Sequence, residues 1–455
     1  MSRSARFRSG QPDGTGRKPL HQLLAVRLVA WSVFGAGSHA IFGAVTTVIL
    51  ARGLGARGLG AYGVFLAVAF LLNQVGDLGL GTAYVRLATP LFQSSSSARS
   101  LTWTFLYTRL SAVGGLALLA FVARELLEPG RSVGLASYVV PGGAAAVLMA
   151  VGSHYSEVLR ARLAHRKAAT VRAVLAATRA AVYLTLLATG TLTVSRTIGV
   201  AVLLVGLESA TLAALAHRGA GLWPPGAPQI ERSWMVLSAW LFVTSASSAL
   251  LTHTDTLLLA ALSGDLETGL WVGASRLVGP IPLLVGAVWS VVLPISLALT
   301  EPAKLQRYLV LARRTAATAL ILAAAGTLLM VPAVELIFGP EYRQAVAAAR
   351  WLLIGFGANV AAILYGGLVH RLGLEKALAW VSIVLLVGNG IGDVVLIPSF
   401  GAAGCAVVTA VVMFVGAAWA VWRVERSRET LFSGIPQNGA TASDSVATSV
   451  IVVEP

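Results

Sequence analysis

The chain reads as all-α, a polytopic membrane protein of about 12 transmembrane helices in two blocks of six, and three observations carry that reading. Apolar stretches of near-membrane length run over 28–50, 58–82, 100–123, 133–156, 170–191, 196–216, 236–262, 268–298, 309–331, 344–369, 375–397 and 401–422. Roughly 20 apolar residues cross a hydrocarbon core of ~30 Å, so these stretches span it, some with room for tilt. The loops between them alternate between rich and poor in Lys and Arg. A Pro/Gly segment, Leu222 to Pro228, follows the sixth stretch and divides the set into two.

The basic residues predict the orientation. Of 34 Lys and Arg, 24 lie in segments on the side of the N-terminus and six on the other side. The remaining four, Arg109, Arg179, Arg276 and Arg350, fall inside spans. Cytoplasmic loops hold the excess of basic charge, so both termini are expected in the cytoplasm. The same dispersal explains the net charge of +15 without nucleic acid: the residues sit on loops beside anionic bilayer lipid. The first span is too long for a cleaved signal peptide and is expected to remain as an anchor. One cysteine, Cys405, excludes an internal disulfide and a Cys-based metal cluster, and no metal or organic cofactor is expected. Thirty Arg against four Lys, with abundant Ala and Gly, hint at a GC-rich bacterial gene and hence a bacterial plasma (inner) membrane.

Along the chain, residues 1–27 form a polar, basic cytoplasmic tail expected to be disordered, and 28–221 an N-lobe of helices 1–6. A cytoplasmic linker at 222–235 leads to a C-lobe at 236–426, helices 7–12, and a second disordered tail at 427–455. The halves share a pattern. Leu50-Ala51, Gly55, Gly60 and Tyr62 recur 209 residues later as Leu259-Ala260, Gly264, Gly269 and Trp271. Two such hairpins entering in the same direction imply parallel repeats about an axis normal to the membrane.

Polar residues inside spans report where a span faces protein or water, since a charge facing lipid costs ~2.5–3.5 kcal/mol or more. Span 1 carries Ser32, Gly35, His39, Gly43 and Thr46 on one stripe; span 2 carries Asn73, Asp77 and Tyr84. Span 7 presents Ser245, Ser248, Thr252, Asp255 and Thr256, and span 11 has Asn389 and Asp393 at i, i+4. Asp255 and Arg276 both lie roughly 10 Å below the outer surface at ~1.5 Å of rise per residue. Two readings stand: a buried ion pair that pins the hairpin of spans 7 and 8, or a lumenal site. In the second, Asp255 binds a driving cation, H+ or Na+, and Arg276 meets an anionic substrate. Arg109, Arg179 and Arg350 either snorkel to headgroups or join a cationic lumen. Glu208 is a buried hydrogen-bonding group or a proton carrier, and Arg160 to Arg172 read first as the topology signal.

Several segments resemble a known family. "RGLGARGLGAYGVF" from Arg52 and "DLGLGTAYVR" from Asp77 are similar to the first two spans of bacterial polysaccharide-biosynthesis membrane proteins, the O-antigen and exopolysaccharide flippases. "HTDTLLLAAL" from His253, "GLWVGASRLVGP" from Gly269, "FGPEYRQA" from Phe338 and "IPSFGAAGCAVVTA" from Ile397 follow in family order and cover nearly all the chain between its tails. This resemblance implies membership of the superfamily that includes multidrug antiporters and the lipid II flippase, whose two additional helices are missing here. It implies two six-helix lobes around a central cavity and export of an undecaprenyl-diphosphate-linked oligosaccharide by alternating access. It places His39, His253, Asp77 and Arg276 as substrate-binding candidates near the lumen, with Asp255 the cation-coupling candidate; His253 departs from a position often basic in the family. A polysaccharide polymerase and glycosyltransferases of the same pathway are implied partners. The rival readings are a small-molecule or drug antiporter on the same fold and a membrane glycosyltransferase or polymerase. The transferase reading lacks an acid in the first external loop, and the polymerase reading lacks a large external loop. There is no G-x-x-x-x-G-K-[ST] phosphate loop, and no enzymatic activity is expected.

Overall fold

In hydrocarbon a backbone must satisfy its own hydrogen bonds, so a chain this apolar folds as helices. The computed structural model describes residues 20–92, 95–127, 136–218, 232–281 and 301–433, with positions 292, 296 and 299 standing alone in the last gap. The outer parts of the expected tails, most of the linker at 222–235 and most of the later part of span 8 lie outside the described residues. The helices are α1 (Leu20–Gly76), α2 (Leu80–Leu91), α3 (Ser95–Leu127), α4 (Ala136–Ala161), α5 (His165–Ala188), α6 (Val194–His217) and α7 (Arg232–Leu262). They continue as α8 (Gly264–Val278), α9 (Pro302–Gly326), α10 (Met330–Ile337), α11 (Ala345–Arg371), α12 (Glu375–Arg426) and α13 (Arg428–Ser433). Seven of the described helical stretches are by length and composition able to cross a membrane.

Two of these helices each hold two spans, joined at a glycine. α1 reverses at Gly55 (φ 67°) and α12 at Gly401 (φ 53°), conformations that cost an L residue about 1–2 kcal/mol. The fold-back of α12 is visible in its pairing: Gly392 packs against Val408 and Gly416 against Leu385, each pair straddling Gly401. In α1, Gly35 and Gly53 meet Ala169 and Leu187 of α5, so the first span runs parallel to α5. Beyond Gly55, Val68 meets Gly142 of α4, which is antiparallel to α5. The expected loops at these two points are thus single-glycine turns.

The repeat written in the hairpins is present in the backbone. Left-handed residues recur at matching turns: Gly55 with Gly264, Leu163 with Gly373, and Gly190 with Gly401. The two halves meet by the same pairing. A Cβ on Gly60 would strike the Asp265 carbonyl, and a Cβ on Gly269 would strike the Ala56 carbonyl. Because Gly60 and Gly269, like Ala56 and Asp265, are 209 residues apart, each contact is the other seen through a two-fold axis. Small residues let membrane helices approach to backbone contact, where dispersion and not hydrophobicity drives association. The same end is tied across the halves by Arg52. It donates from Nε to the Ile337 carbonyl at 3.0 Å and from Nη2 to the Leu336 carbonyl, capping the last carbonyls of α10.

Span 2 breaks where the sequence predicts continuity. α1 ends at Gly76, Leu78 (φ 50°) and Gly79 (φ 71°) are left-handed, and α2 resumes the path. The break is held by charge. Asp77 pairs with Arg109 of α3 and accepts the Gly81 N–H at 3.4 Å. Arg109 also grips Glu157 of α4 with both Nη atoms, at 2.8 and 3.2 Å. Arg109 is 3% exposed, so the expectation that it reaches a headgroup or the lumen is corrected: it is the shared cation of two carboxylates inside one half.

Two stability outcomes follow. Arg109→Ala leaves two carboxylates without their cation and should destabilise by about 3–5 kcal/mol, read as lost monodisperse yield in detergent. The neutral triple variant Asp77→Asn/Arg109→Met/Glu157→Gln should recover most of that yield. Gly60→Ala should lower the thermal unfolding midpoint, whereas Gly115→Ala in α3, where nothing lies within 4 Å of an added Cβ, should leave it unchanged or raise it.

Candidate functional site

A cavity of 620 Å³ lies between the halves, walled by α1, α4, α5 and α6 on one side and α8 on the other. Its polar lining is Ser156, Arg160, His165, Arg172, Glu208 and Arg276. Gly43 and Ala44 of α1 face it and leave it wide. The basic wall is built by one tight turn. α4 ends at Ala161 and α5 starts at His165, with Leu163 left-handed between them. The turn closes by Leu163 N–H to the Arg160 carbonyl at 2.9 Å and Ala164 N–H to the Leu159 carbonyl at 2.8 Å. Arg162 pins it to the end of α6 by donating to the Ala216 carbonyl at 2.9 Å. Arg160 and Arg172 are thereby aimed at one space, Arg172 donating to Ser156 Oγ at 2.7 Å. Arg276 enters from the opposite half and is exposed to the cavity.

A second ionisable group lies in the half that follows the linker. Asp255 of α7 is 4% exposed and Asp393 of α12 is fully buried. One ligating atom from each, with Cys405 Sγ, falls within 4.8 Å of the others. Thr409 donates to Asp255 Oδ2 at 3.1 Å. Asp255 Oδ1 and both Asp393 carboxylate oxygens have no hydrogen-bond partner in the structure. Two buried carboxylates this close in a medium of low dielectric repel unless something is shared between them. One takes a proton, or the pair takes a cation.

Of the expected site residues, only Arg276 lines the cavity with a described side chain. His39 lies on α1 next to the lining residue Ala40, and its side chain is outside the described set. His253 is half-buried and stacks on Phe70 of the other half, with ring centroids 5.8 Å apart and planes 7° apart. Asp77 is held in the Arg109 pair. Asp255 and Arg276 form no ion pair, and they do not sit level: α8 starts at Gly264, so Arg276 lies 12 residues past the turn while Asp255 lies 7 residues before it. Trp271 directs its Nε1–H to Thr256 of α7 at 3.2 Å, and Arg276, five residues on, faces elsewhere.

The sequence reading missed Arg160, Arg172 and Glu208 as one constellation. Their spacing carries no periodic signal, because a turn and a separate helix bring them together. It noticed Asp393 beside Asn389 but had no means of joining them to Asp255. Counting back 209 and 210 residues from the two acids reaches Thr46 and Tyr183, so only one half carries them. Tyr183 instead donates to the Thr197 carbonyl at 3.0 Å.

Comparison with solved structures gives the fold. The chain is similar to the lipid II flippase MurJ in an inward closed conformation, with TM-score 0.67, 14% identity, and 89% of this chain and 90% of that one covered. It is also similar to an inward-facing multidrug resistance MATE family transporter of the MOP superfamily, with TM-score 0.65, 13% identity, and coverage of 88% and 99%. The Vibrio cholerae MATE transporter VcmN aligns with TM-score 0.57, 15% identity, and coverage of 90% and 99%. No curated protein matches by sequence. At these identities the likeness establishes the fold alone, the multi-pass helical membrane fold of about 12 helices that these structures share. Residues 25–299 match the family described as polysaccharide biosynthesis protein, and with more than half of its length matched the chain belongs to that family.

Proposed function

We propose that this protein flips an undecaprenyl-diphosphate-linked oligosaccharide from the cytoplasmic to the external leaflet of a bacterial plasma membrane. The observation that carries the reading is the convergence of Arg160, Arg172 and Arg276 on one cavity between the lobes. A diphosphate has no stable place in hydrocarbon, and guanidinium forks suit its oxygens. The lining residues belong to the α4–α5 turn and the neighbouring halves of α1, α6 and α8, the end richest in Arg. With the basic loops and both termini in the cytoplasm, the cavity faces the leaflet where lipid-linked sugars are made. The opposite end, closed by Gly60, Gly269 and Arg52, is then external and opens in the alternate state.

Asp255 and Asp393 supply the means of coupling. A proton or Na+ held by this pair and released inward gains ~2.3 kcal/mol per charge per 100 mV of membrane potential. The glycan polymerase and transferases of the same pathway are the proposed partners, and the chain itself performs no bond-making step. A drug antiporter on this fold is disfavoured by the three arginines, since a cationic drug would be repelled by the cavity.

In a deletion strain, undecaprenyl-diphosphate oligosaccharides should accumulate on the cytoplasmic side and a surface glycan should be lost, both restored by the intact gene. Unchanged lipid-linked sugars and glycan in a strain without a redundant flippase would transfer the assignment to small-molecule export. Arg276→Ala should cut flipping about ten- to hundredfold, the worth of a charged hydrogen bond, and Arg276→Lys should cut it less. Asp255→Asn should leave substrate binding intact and remove the dependence of flipping on the ion gradient. Normal gradient-driven export by that variant would reduce Asp255 to a packing role.

A further inference from the structure

Among the described residues that line the cavity, Glu208 is the one acid. It projects from α6 toward two arginines of α5 and interacts electrostatically with both Arg179 and Arg172. These two are seven residues apart, two turns along one helix face. Arg172 lines the cavity and Arg179 does not. Glu157, the other carboxylate that acts on Arg172, is already bound by Arg109. A headgroup that draws Arg172 away leaves Glu208 facing the ligand, with Arg179 beside it on α5.

We infer that Glu208 is a specificity-determining residue that lessens the cavity's preference for the bare carrier diphosphate over the sugar-loaded carrier. The inference rests on the reading of the cavity as a diphosphate site. The three lining guanidiniums and Glu208 leave two net positive charges on the wall, with His165 neutral. A diphosphate esterified at both ends, by lipid and by sugar, carries two negative charges and matches that wall. The bare carrier has a free terminal phosphate whose second ionisation lies near pH 6, so it carries about one charge more at neutral pH. The repulsion from Glu208 scales with the charge of the ligand, so it falls harder on the bare carrier. Without such a residue, a purely cationic cavity would favour the more highly charged species, which is the spent carrier rather than the cargo.

The test is a pair of dissociation constants on the purified full-length protein in nanodiscs, with farnesyl diphosphate as monoester and farnesyl-diphospho-N-acetylglucosamine as diester. Wild type should prefer the monoester less than a cavity without the Glu208 charge does. Glu208→Gln should shift the monoester-to-diester preference about tenfold toward the monoester, the size of one unscreened charge interaction across the cavity. Glu208→Asp, which keeps the charge, should stay near the wild-type ratio. An unchanged ratio in Glu208→Gln overturns the assignment. So does a Glu208→Asp variant that shifts the ratio as far as Glu208→Gln does. If wild type binds neither compound, or binds both and Arg172→Ala leaves both constants unchanged, the diphosphate reading of the cavity fails instead.

Discussion

The contact on which the architecture depends is the crossing of two backbones at Gly60 and Gly269. Hydrocarbon offers no hydrophobic force between helices, so two six-helix lobes hold together only where their surfaces fit closely. Here the fit is at backbone level, with the Asp265 and Ala56 carbonyls occupying the space that side chains would fill. The crossing lies on the two-fold axis and near one end of the bundle. The lobes therefore touch at that end, through Arg52 and Tyr342 as well, and stand apart around the cavity toward the other.

Charge is distributed over this frame unevenly, and the unevenness is informative because the frame is symmetric. Asp255 and Asp393 occur in one lobe, at places where the other has Thr46 and Tyr183. The basic wall of the cavity comes chiefly from the other lobe, through the α4–α5 turn, with Arg276 the contribution across the gap. The matching turn of the second lobe spends Arg371 on the backbone carbonyls of Ser296 and Leu299. A duplicated scaffold has thus been loaded with cations on one side and with acids on the other. Within the first lobe, the Asp77–Arg109–Glu157 group is internally paired and holds the break in span 2.

Much of the fold was legible in the letters. Spans 3, 5, 6 and 10 need nothing beyond apolar length, and the helices observed there match the predicted ends to within five residues. The hairpin glycines were legible as a repeat because a left-handed turn and a backbone crossing both exclude side chains, which leaves Gly at fixed spacing. The break in span 2 was not, since Leu78 gives no sign of its left-handed backbone until the Arg109 pair is seen to hold Asp77. Depth along a helix was only partly readable: α8 starts at Gly264, earlier than the letters suggest, and carries Arg276 deeper than Asp255. Azimuth was not. A few tens of degrees decide whether two such groups meet, and neighbouring helices set that angle.

The sequence alone determined that this chain is a helical membrane protein, how many times it crosses, that its halves repeat, and to which family it belongs. These properties follow from apolar length, dispersed charge and glycine spacing, all of which are local or periodic. The tertiary structure decided that Arg160 and Arg172 share a cavity with Arg276 and Glu208, that Arg109 is consumed in an internal pair, and that Asp255 faces Asp393 and Thr409. Those groupings join residues from 12 to more than 150 positions apart, on helices whose rotation is chosen by packing, and no periodicity along one chain records that choice.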